Sequence, residues 1–390
     1  MKNESGPDPS PYPDRLKERE SQGLLRSIVP VRPGRDKLHI MADGSDFVNL
    51  CSNDYLNLSS HPAVKKQAVR MIDRYGTGAA SSRLVSGSLP CHHELEEALA
   101  SFTDRESALL FVSGFQANLT LLPALAGRGD WIVADKAVHR SLVEGGQLSR
   151  ATFRRFRHND VEHLETLLSR YQSSSNGVCW VVVESVYSMD GDQAPLEEVI
   201  RVARNHGARI LVDDAHAFGL FGNRGEGLAS MYPEVDIIVG TCGKTLGSSG
   251  AFVLLSSELR QWLINHCPGV IYSTGPSPAV TGATLAALEL LPDLNEQRAS
   301  VLHQANQLRR RLADAGLNTG NSTSQIIPIL LSDSEEALEW SRTAAENGFY
   351  IQAIRPPTVR QPRLRLTVCD GILTEEWDRF TTLMEQIHGK

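Results

Sequence analysis

In GTCGKTLGSSG (240–250), Lys244 stands among small residues directly after the apolar run VDIIV (235–239). An amine so placed has two chemical uses: a fixed cation for phosphate, or, once deprotonated, a nucleophile that bonds a carbonyl compound. The first use needs G-x-x-x-x-G-K-[ST], whose loop wraps phosphate in backbone amides. Gly243-Lys244-Thr245 completes the end of that pattern, but Ile238 occupies the place of its first glycine, so the loop cannot make its turn. Taken singly, Lys244 reads as a solvent-facing lysine in a glycine-rich loop. Its company argues otherwise. RILVDDAHAFGLFG (209–222) sets Asp213, Asp214 and His216 at the carboxyl end of another apolar run. In open α/β sheets that end binds ligands.

The rest of the chain must bring those two strand ends together. From about residue 60 to 290, apolar runs alternate with amphipathic stretches, the texture of βα repeats around a mainly parallel sheet. Strands are expected at ALLFV (108–112), WIVAD (131–135), CWVVVE (179–184), RILVDD (209–214), DIIVG (236–240) and AFVLLS (251–256). Their nearly continuous apolar character suits strands covered on both faces. PLEEVIRVARNHG (195–207) predicts a helix with Pro195 in its first turn and Gly207 at its end; Leu196, Val199, Ile200 and Ala203 share one face. After residue 290 the pattern becomes that of a separate α+β unit: a helical stretch (295–316), QIIPILLS (325–332), SEEALEWSRTAAENG (334–348), RLRLTV (363–368) and a closing helix. Ser332 and Glu335 have capping-box spacing. The expected divisions are a loose tail at 1–14, an N-terminal segment at 15–58, a large domain at 59–290 and a C-terminal domain at 291–390.

Composition narrows the function classes. The 390 residues carry 39 Lys+Arg against 46 Asp+Glu, a net charge of −7, with no basic block of the kind that tracks nucleic acid. The six cysteines are scattered and form no C-x-x-C pair, which fits reduced thiols better than a disulfide framework or a zinc site. No apolar run approaches the roughly 20 residues of a membrane span, and the polar, proline-rich start lacks a signal-peptide core. A cytoplasmic protein without metal, membrane or nucleic-acid partners is expected.

A lysine, a strand-end carboxylate and an imidazole form the set that pyridoxal 5'-phosphate requires. The amine bonds its aldehyde, an anion keeps its pyridine nitrogen protonated, a donor meets its ring oxygen and amides hold its phosphate. At this point the sequence closely resembles the α-oxoamine synthases, pyridoxal-phosphate enzymes of the aspartate aminotransferase fold type (fold type I). The markers, in order, are SNDYLNLSSHP (52–62), GTGAASSRLVSGS (76–88), FVSGFQAN (111–118), ADKAVHRSL (134–142), SVYSMDGD (185–192), DDAHAFGLFG (213–222), GTCGKTLGSSGA (240–251), YSTGPSP (272–278) and RLRLT (363–367). The resemblance implies an α/β large domain with a mainly parallel seven-stranded sheet and a smaller C-terminal α+β domain. It also implies a decarboxylating C-acyltransferase that joins an amino acid to an acyl thioester, working as a homodimer with sites at the interface.

Carried over by motif, Lys244 holds the cofactor and moves the α-proton, Asp213 pairs with the pyridine nitrogen, and His216 bonds the ring oxygen. His139 stacks on the ring, where otherwise it would be a surface histidine before a helix. Ser188 reaches the polar edge of the cofactor. Gly114 and Phe115 open a helix whose amides hold phosphate, with Thr241 adding a hydroxyl and Thr274 one from the neighbouring subunit. Arg365 grips the amino-acid carboxylate, whereas Arg363 is expected on the opposite face of its strand. Asn53 falls among substrate contacts, or alternatively makes an Asx-turn. Ser248-Ser249 departs from the paired glycines common after the family's lysine.

Within the family, AIRPPTVRQPRLRLT (353–367) is similar to the branch that uses L-alanine with a pimeloyl donor, and FRHNDVEHLETLL (156–168) also resembles that branch. On this resemblance Thr358 contacts substrate. Arg26, in SQGLLRSIVPV, suits the distal carboxylate of a pimeloyl chain carried on coenzyme A or on a carrier protein; otherwise it is a surface arginine on an N-terminal helix. The alternatives are a glycine-using sister such as aminoketobutyrate ligase, a non-catalytic cofactor-binding sensor, and a P-loop NTPase.

Overall fold

The computed structural model describes residues 12–34, 38–42, 44–174 and 177–389. Of the tail expected at 1–14, residues 1–11 lie outside the described residues, and Tyr12–Asp14 open an exposed helix, Tyr12–Ser21.

Short strands come first in the chain: β1 (Arg32–Pro33), β2 (His39–Ala42) and β3 (Ser45–Asn49). The central sheet follows, built from β4 (Ser107–Phe111), β5 (Trp131–Asp135), β6 (Thr152–Phe156), β7 (Cys179–Glu184), β8 (Arg209–Asp213), β9 (Ile237–Thr241) and β10 (Ala251–Leu255). Its seven strands run in the order β4-β10-β9-β8-β7-β5-β6, and β10 is antiparallel to both neighbours. The other pairs are parallel. All six expected strands are present within a residue or so of their predicted ends.

Successive side chains of a strand face opposite sides of a sheet, and here both sides are packed. Val181 and Val183 of β7 enter one core cluster, while Trp180 and Val182 enter the other. Ile210 and Val212 against Leu211 in β8, and Ile238 against Ile237 and Val239 in β9, divide the same way. A sheet covered on both faces leaves only its strand ends open, so chemistry is confined there. The seventh strand, β6 (TFRRF), is an edge strand with exposed Arg154 and Arg155. Charges on an edge discourage further pairing, and they also broke the apolar run by which the other strands were recognised.

Helix Leu196–Asn205 buries Leu196, Val199, Ile200, Val202 and Ala203, with Pro195 at the cap, one residue earlier than expected, and Gly207 at φ +67°. Residues beyond 290 supply β11 (Ile326–Leu330), β12 (Phe349–Tyr350), β13 (Ala353–Ile354) and β14 (Arg363–Thr367). β11, β14 and β13 form one small antiparallel sheet, and β12 joins β3 in parallel in another. Backbone bonds from Leu50 N to Tyr350 O (3.0 Å), Thr367 N to Leu50 O (2.9 Å) and Asp370 N to Tyr55 O (2.8 Å) bind segment 50–55 to these late strands. The N-terminal segment is thus carried to the C-terminal end of the chain, which places Asn53 and Tyr55.

Two local expectations are corrected. The cap of helix Ser334–Glu346 is Asp333, whose carboxylate accepts from the amides of Glu335 and Glu336. Ser332 instead donates both N–H and Oγ–H to the Glu336 carboxylate, at 2.7 and 2.6 Å. Arg363 and Arg365 lie on the same face of β14, as a two-residue period demands: both reach the loop after β7. The six cysteines are free thiols, five of them buried. Among the described residues no helix is long and apolar enough to cross a membrane.

Candidate active site

Parallel registration sets Glu184 of β7 beside Asp213 of β8, and Asp213 beside Val239 of β9. The turn that follows β9 carries Lys244, so three strand ends meet at the carboxyl edge of the sheet. Asp213 and Asp214 part company there. Asp214 is fully buried on the other side and accepts the amide of Ala229 at 3.4 Å; burial pushes its carboxyl up to about 7. Asp213 faces the site. Its Oδ2 accepts from Asn118 Nδ2 at 2.7 Å and its Oδ1 from Ala215 N at 3.1 Å, which fixes the plane of the carboxylate.

Asn118 belongs to helix Gly114–Leu125, whose cap is Ser113 accepting from Gln116 N. The same Asn118 amide donates to Ser141 Oγ at 3.1 Å, and Ser141 Oγ shares a 2.7 Å bond with His139 Nδ1. His139 caps helix Arg140–Leu148 and is exposed toward the open side, with Phe115 edge-on at 6.4 Å. It is therefore both the pre-helix histidine of the simpler reading and a member of the cluster. Partial withdrawal of its ring from water, opposed by Asp213 and reinforced by Lys244, lowers its pKa and favours the neutral imidazole.

The Lys244 amine has no hydrogen bond or ion pair among the described residues. Burial pulls it from the usual 10.5 down to about 8, against the attraction of Asp213 and Glu184 and with help from Arg365. Glu184 is pushed up to about 8 by burial and then by Asp213. It accepts the backbone amides of His139 and Ser188, so one carboxylate seats two of the expected residues. Gly247, at φ +60°, lets the lysine turn pass Ser59 N, which a Cβ would meet at 2.2 Å. Ser248, the departure from the family's glycines, has a job: its hydroxyl donates to Val280 O at 2.9 Å and pins the turn to helix Pro278–Leu290.

His216 Nδ1 lies 2.7 Å from the Tyr55 hydroxyl, and Tyr55 is also 3.3 Å from Asn53 Oδ1. Burial holds His216 well below its usual pKa and pushes Tyr55 up to about 12, so both are neutral. With Tyr55 donating across the shorter contact, the neutral ring carries its proton on Nε2. Arg365 donates from Nε to Ser188 O at 2.6 Å and from both terminal nitrogens to Asn53 Oδ1 at 3.3 Å. Asn53 thus orients Arg365; the Asx-type bonds of this segment come from Asn49 and Asp54. Thr241 Oγ1 lies 3.9 Å from where a Cβ on Gly114 would stand, so its hydroxyl neighbours the helix start.

Three expected residues stand outside this network. Arg26 Nη2 donates to Thr358 Oγ1 at 3.0 Å, and Arg355 bonds Gly23 O alongside, in an exposed crossing of the N-terminal segment over residues 355–358. Arg26 lies beyond the helix at 12–21 rather than on it. Thr274 is exposed and bridges Ser82. The reading of the sequence passed over Asn118, Ser141, Glu184 and Tyr55. Glu184 carried the same signal as Asp213, a carboxylate ending an apolar strand; the other three lie inside the quoted markers.

The donor set fits pyridoxal phosphate. An unpartnered, partly neutral amine, a buried carboxylate fixed in plane, a buried neutral imidazole and a helix start flanked by a threonine hydroxyl are the groups that cofactor needs.

The profile of the aminotransferase class I and II family matches residues 45–380. The 8-amino-7-oxononanoate synthase of Geobacter sulfurreducens is 43% identical over 379 residues, covering 95% of this chain and 96% of the relative. Among solved structures, the Sphingomonas wittichii serine palmitoyltransferase superposes with a TM-score of 0.92 at 30% identity, covering 97% of this chain and 98% of that one. A structure of SPT with PLP internal aldimine gives 0.91 at 28% identity, covering 97% and 96%. The chain belongs to the aminotransferase class I and II family and, within it, to the 8-amino-7-oxononanoate synthases.

Proposed function

We propose that the chain condenses L-alanine with a pimeloyl thioester, releasing carbon dioxide and the thiol and forming 8-amino-7-oxononanoate, the biotin precursor. The observation that carries this reading is the unpartnered Lys244 amine, half-deprotonated near pH 8, set among the strand-end carboxylates Asp213 and Glu184. Pyridoxal phosphate, when bound, supplies the electron sink that makes a carbanion at the alanine α-carbon accessible.

The chain's own groups do the rest. Lys244 would hold the cofactor's aldehyde and would move the α-proton of alanine. Asp213, kept in plane by Asn118, would hold the proton on the pyridine nitrogen. His216 would meet the ring oxygen, and Ser188 would reach the same polar edge. Gly114, Phe115 and Thr241 would hold the phosphate, with Thr274 contributed from a second subunit of a homodimer. His139, its pKa lowered, would stack on the ring face. Arg365, steadied by Asn53 and Ser188, turns its remaining N–H groups to the alanine carboxylate. Arg26 and Thr358 receive the distal carboxylate of the pimeloyl chain, delivered on coenzyme A or a carrier protein in the cytoplasm.

The test is carbon dioxide release from carboxyl-labelled alanine with pimeloyl-coenzyme A. Lys244→Ala is expected to lower it by at least about a thousandfold. Turnover by that variant at the parent rate would sink the lysine assignment, and a preference for glycine would sink the alanine reading.

A further inference from the structure

We propose that His158 is a positioning residue that ties the turn carrying His139 to the loop that carries Ser188 and supports Arg365. This inference rests on the functional reading above, which makes Arg365 a substrate contact. His158 sits in the FRHND stretch, to which that reading gives no task.

Its imidazole is held from both sides. Nδ1 lies 2.9 Å from Asp135 Oδ1 and Nε2 lies 2.8 Å from Asp192 Oδ2. Both carboxylates are nearly out of water, with side-chain exposures of 0% and 10%. Asp135 ends β5, and its Oδ1 also accepts Ala137 N at 2.7 Å, beginning the turn that leads to His139. Asp192 closes the other element: its carbonyl accepts Tyr187 N at 3.0 Å, and Gly191 N donates to Tyr187 O at 2.9 Å. The loop so formed offers Ser188 O to Arg365, and Met189 O and the Asp190 carboxylate to Arg363. Tyr187 packs edge-on against the imidazole at 4.4 Å.

Two anions facing one ring decide its state. A neutral imidazole donates from one nitrogen and presents a lone pair to the second carboxylate, whereas the imidazolium donates to both. Burial works against that charge, but the bonds to Asp135 and Asp192 outweigh it and raise the pKa to about 10. Asn159 adds its N–H to Asp135 Oδ2 at 2.8 Å and its side-chain amide to Asp192 Oδ2 at 3.0 Å. The linked parts come from β5, the segment after β6 and the loop after β7, and His158 shares with Asn159 the span between the two carboxylates.

The experiment compares holoenzyme with His158→Gln, which reaches from one nitrogen only, and with Asp192→Asn, which keeps the bond to Asp135 and removes the anion on the loop side. Steady-state kinetics and amide exchange by mass spectrometry are read together. Both variants are expected to raise KM for alanine about tenfold or more with a smaller change in kcat. Exchange in 187–193 is expected to accelerate while helix 196–205 stays as in the parent. Lowered thermal stability with KM and loop exchange unchanged would overturn the proposal. If His158→Gln does not fold, Asp192→Asn decides on the same criteria. A parent enzyme that releases no carbon dioxide from alanine would strike the functional reading instead, and loop exchange would still decide whether His158 holds the loop.

Discussion

The ionisation of Lys244 can be measured directly. The perturbation is pH, followed by Asp213→Asn. With the amine at about 8 rather than 10.5, half of the Lys244 side chains are neutral at pH 8. An ordinary lysine has about three neutral molecules in a thousand at that pH, so the gain in nucleophile is on the order of 150-fold. Because burial lowers the value while Asp213 and Glu184 raise it, deleting the Asp213 charge must move the midpoint further down. Glu184 titrates over the same interval, so the curve is broader than a single-site titration. The assay is competitive labelling of cofactor-free protein with trace acetic anhydride from pH 6 to 11, reading the Lys244 peptide by mass spectrometry against the exposed Lys65. The midpoint, not the amplitude, carries the answer, since reagent access affects only the latter. A midpoint that coincides with that of Lys65, or one that rises in Asp213→Asn, would refute the argument.

Two further perturbations probe the supports of the site. Asn118→Leu leaves Asp213, among the described residues, with the Ala215 amide as its side-chain partner. A hydrogen bond to a charged group is worth about 1.5–3 kcal/mol, so kcat or cofactor retention should fall roughly tenfold to a hundredfold; unchanged kinetics and unchanged retention in equilibrium dialysis would show that the amide does not orient the carboxylate. Gly247→Ala forces a Cβ against Ser59 N at a left-handed backbone position. Overpacking of that kind costs about 1–3 kcal/mol, expected as a lower Tm and weaker cofactor binding, and a parent-like Tm would contradict it.

Much of the central sheet was legible because its strands are covered on both faces, which writes an unbroken apolar run into each. The exception, β6, is the edge strand whose exposed arginines erase that signal. The cap at Asp333 was misplaced by one residue because Ser332, Asp333 and Ser334 all carry capping oxygens, and only the backbone geometry selects among them. Arg363 was assigned to the wrong face although a two-residue period already placed it with Arg365. Asn53, expected as a substrate contact or a turn former, accepts from Arg365, 312 residues away, a bond that no local pattern announces.

The sequence by itself determined six of the seven central strands, the two strand ends bearing Asp213 and Lys244, and the pyridoxal-type chemistry those residue types permit. These follow from periodicity and from the rule that parallel strands present ligands at their carboxyl ends. The tertiary structure decided how each group is held and charged. Asn118 meets Asp213 across 95 residues, Tyr55 meets His216 across 161, and His158 joins Asp135 to Asp192. No local pattern encodes such pairs. Hydrogen bonds and burial that set protonation depend on which distant segments folding brings into contact, and that is fixed only when the N-terminal segment returns to the late strands and the sheet closes its ends around Lys244.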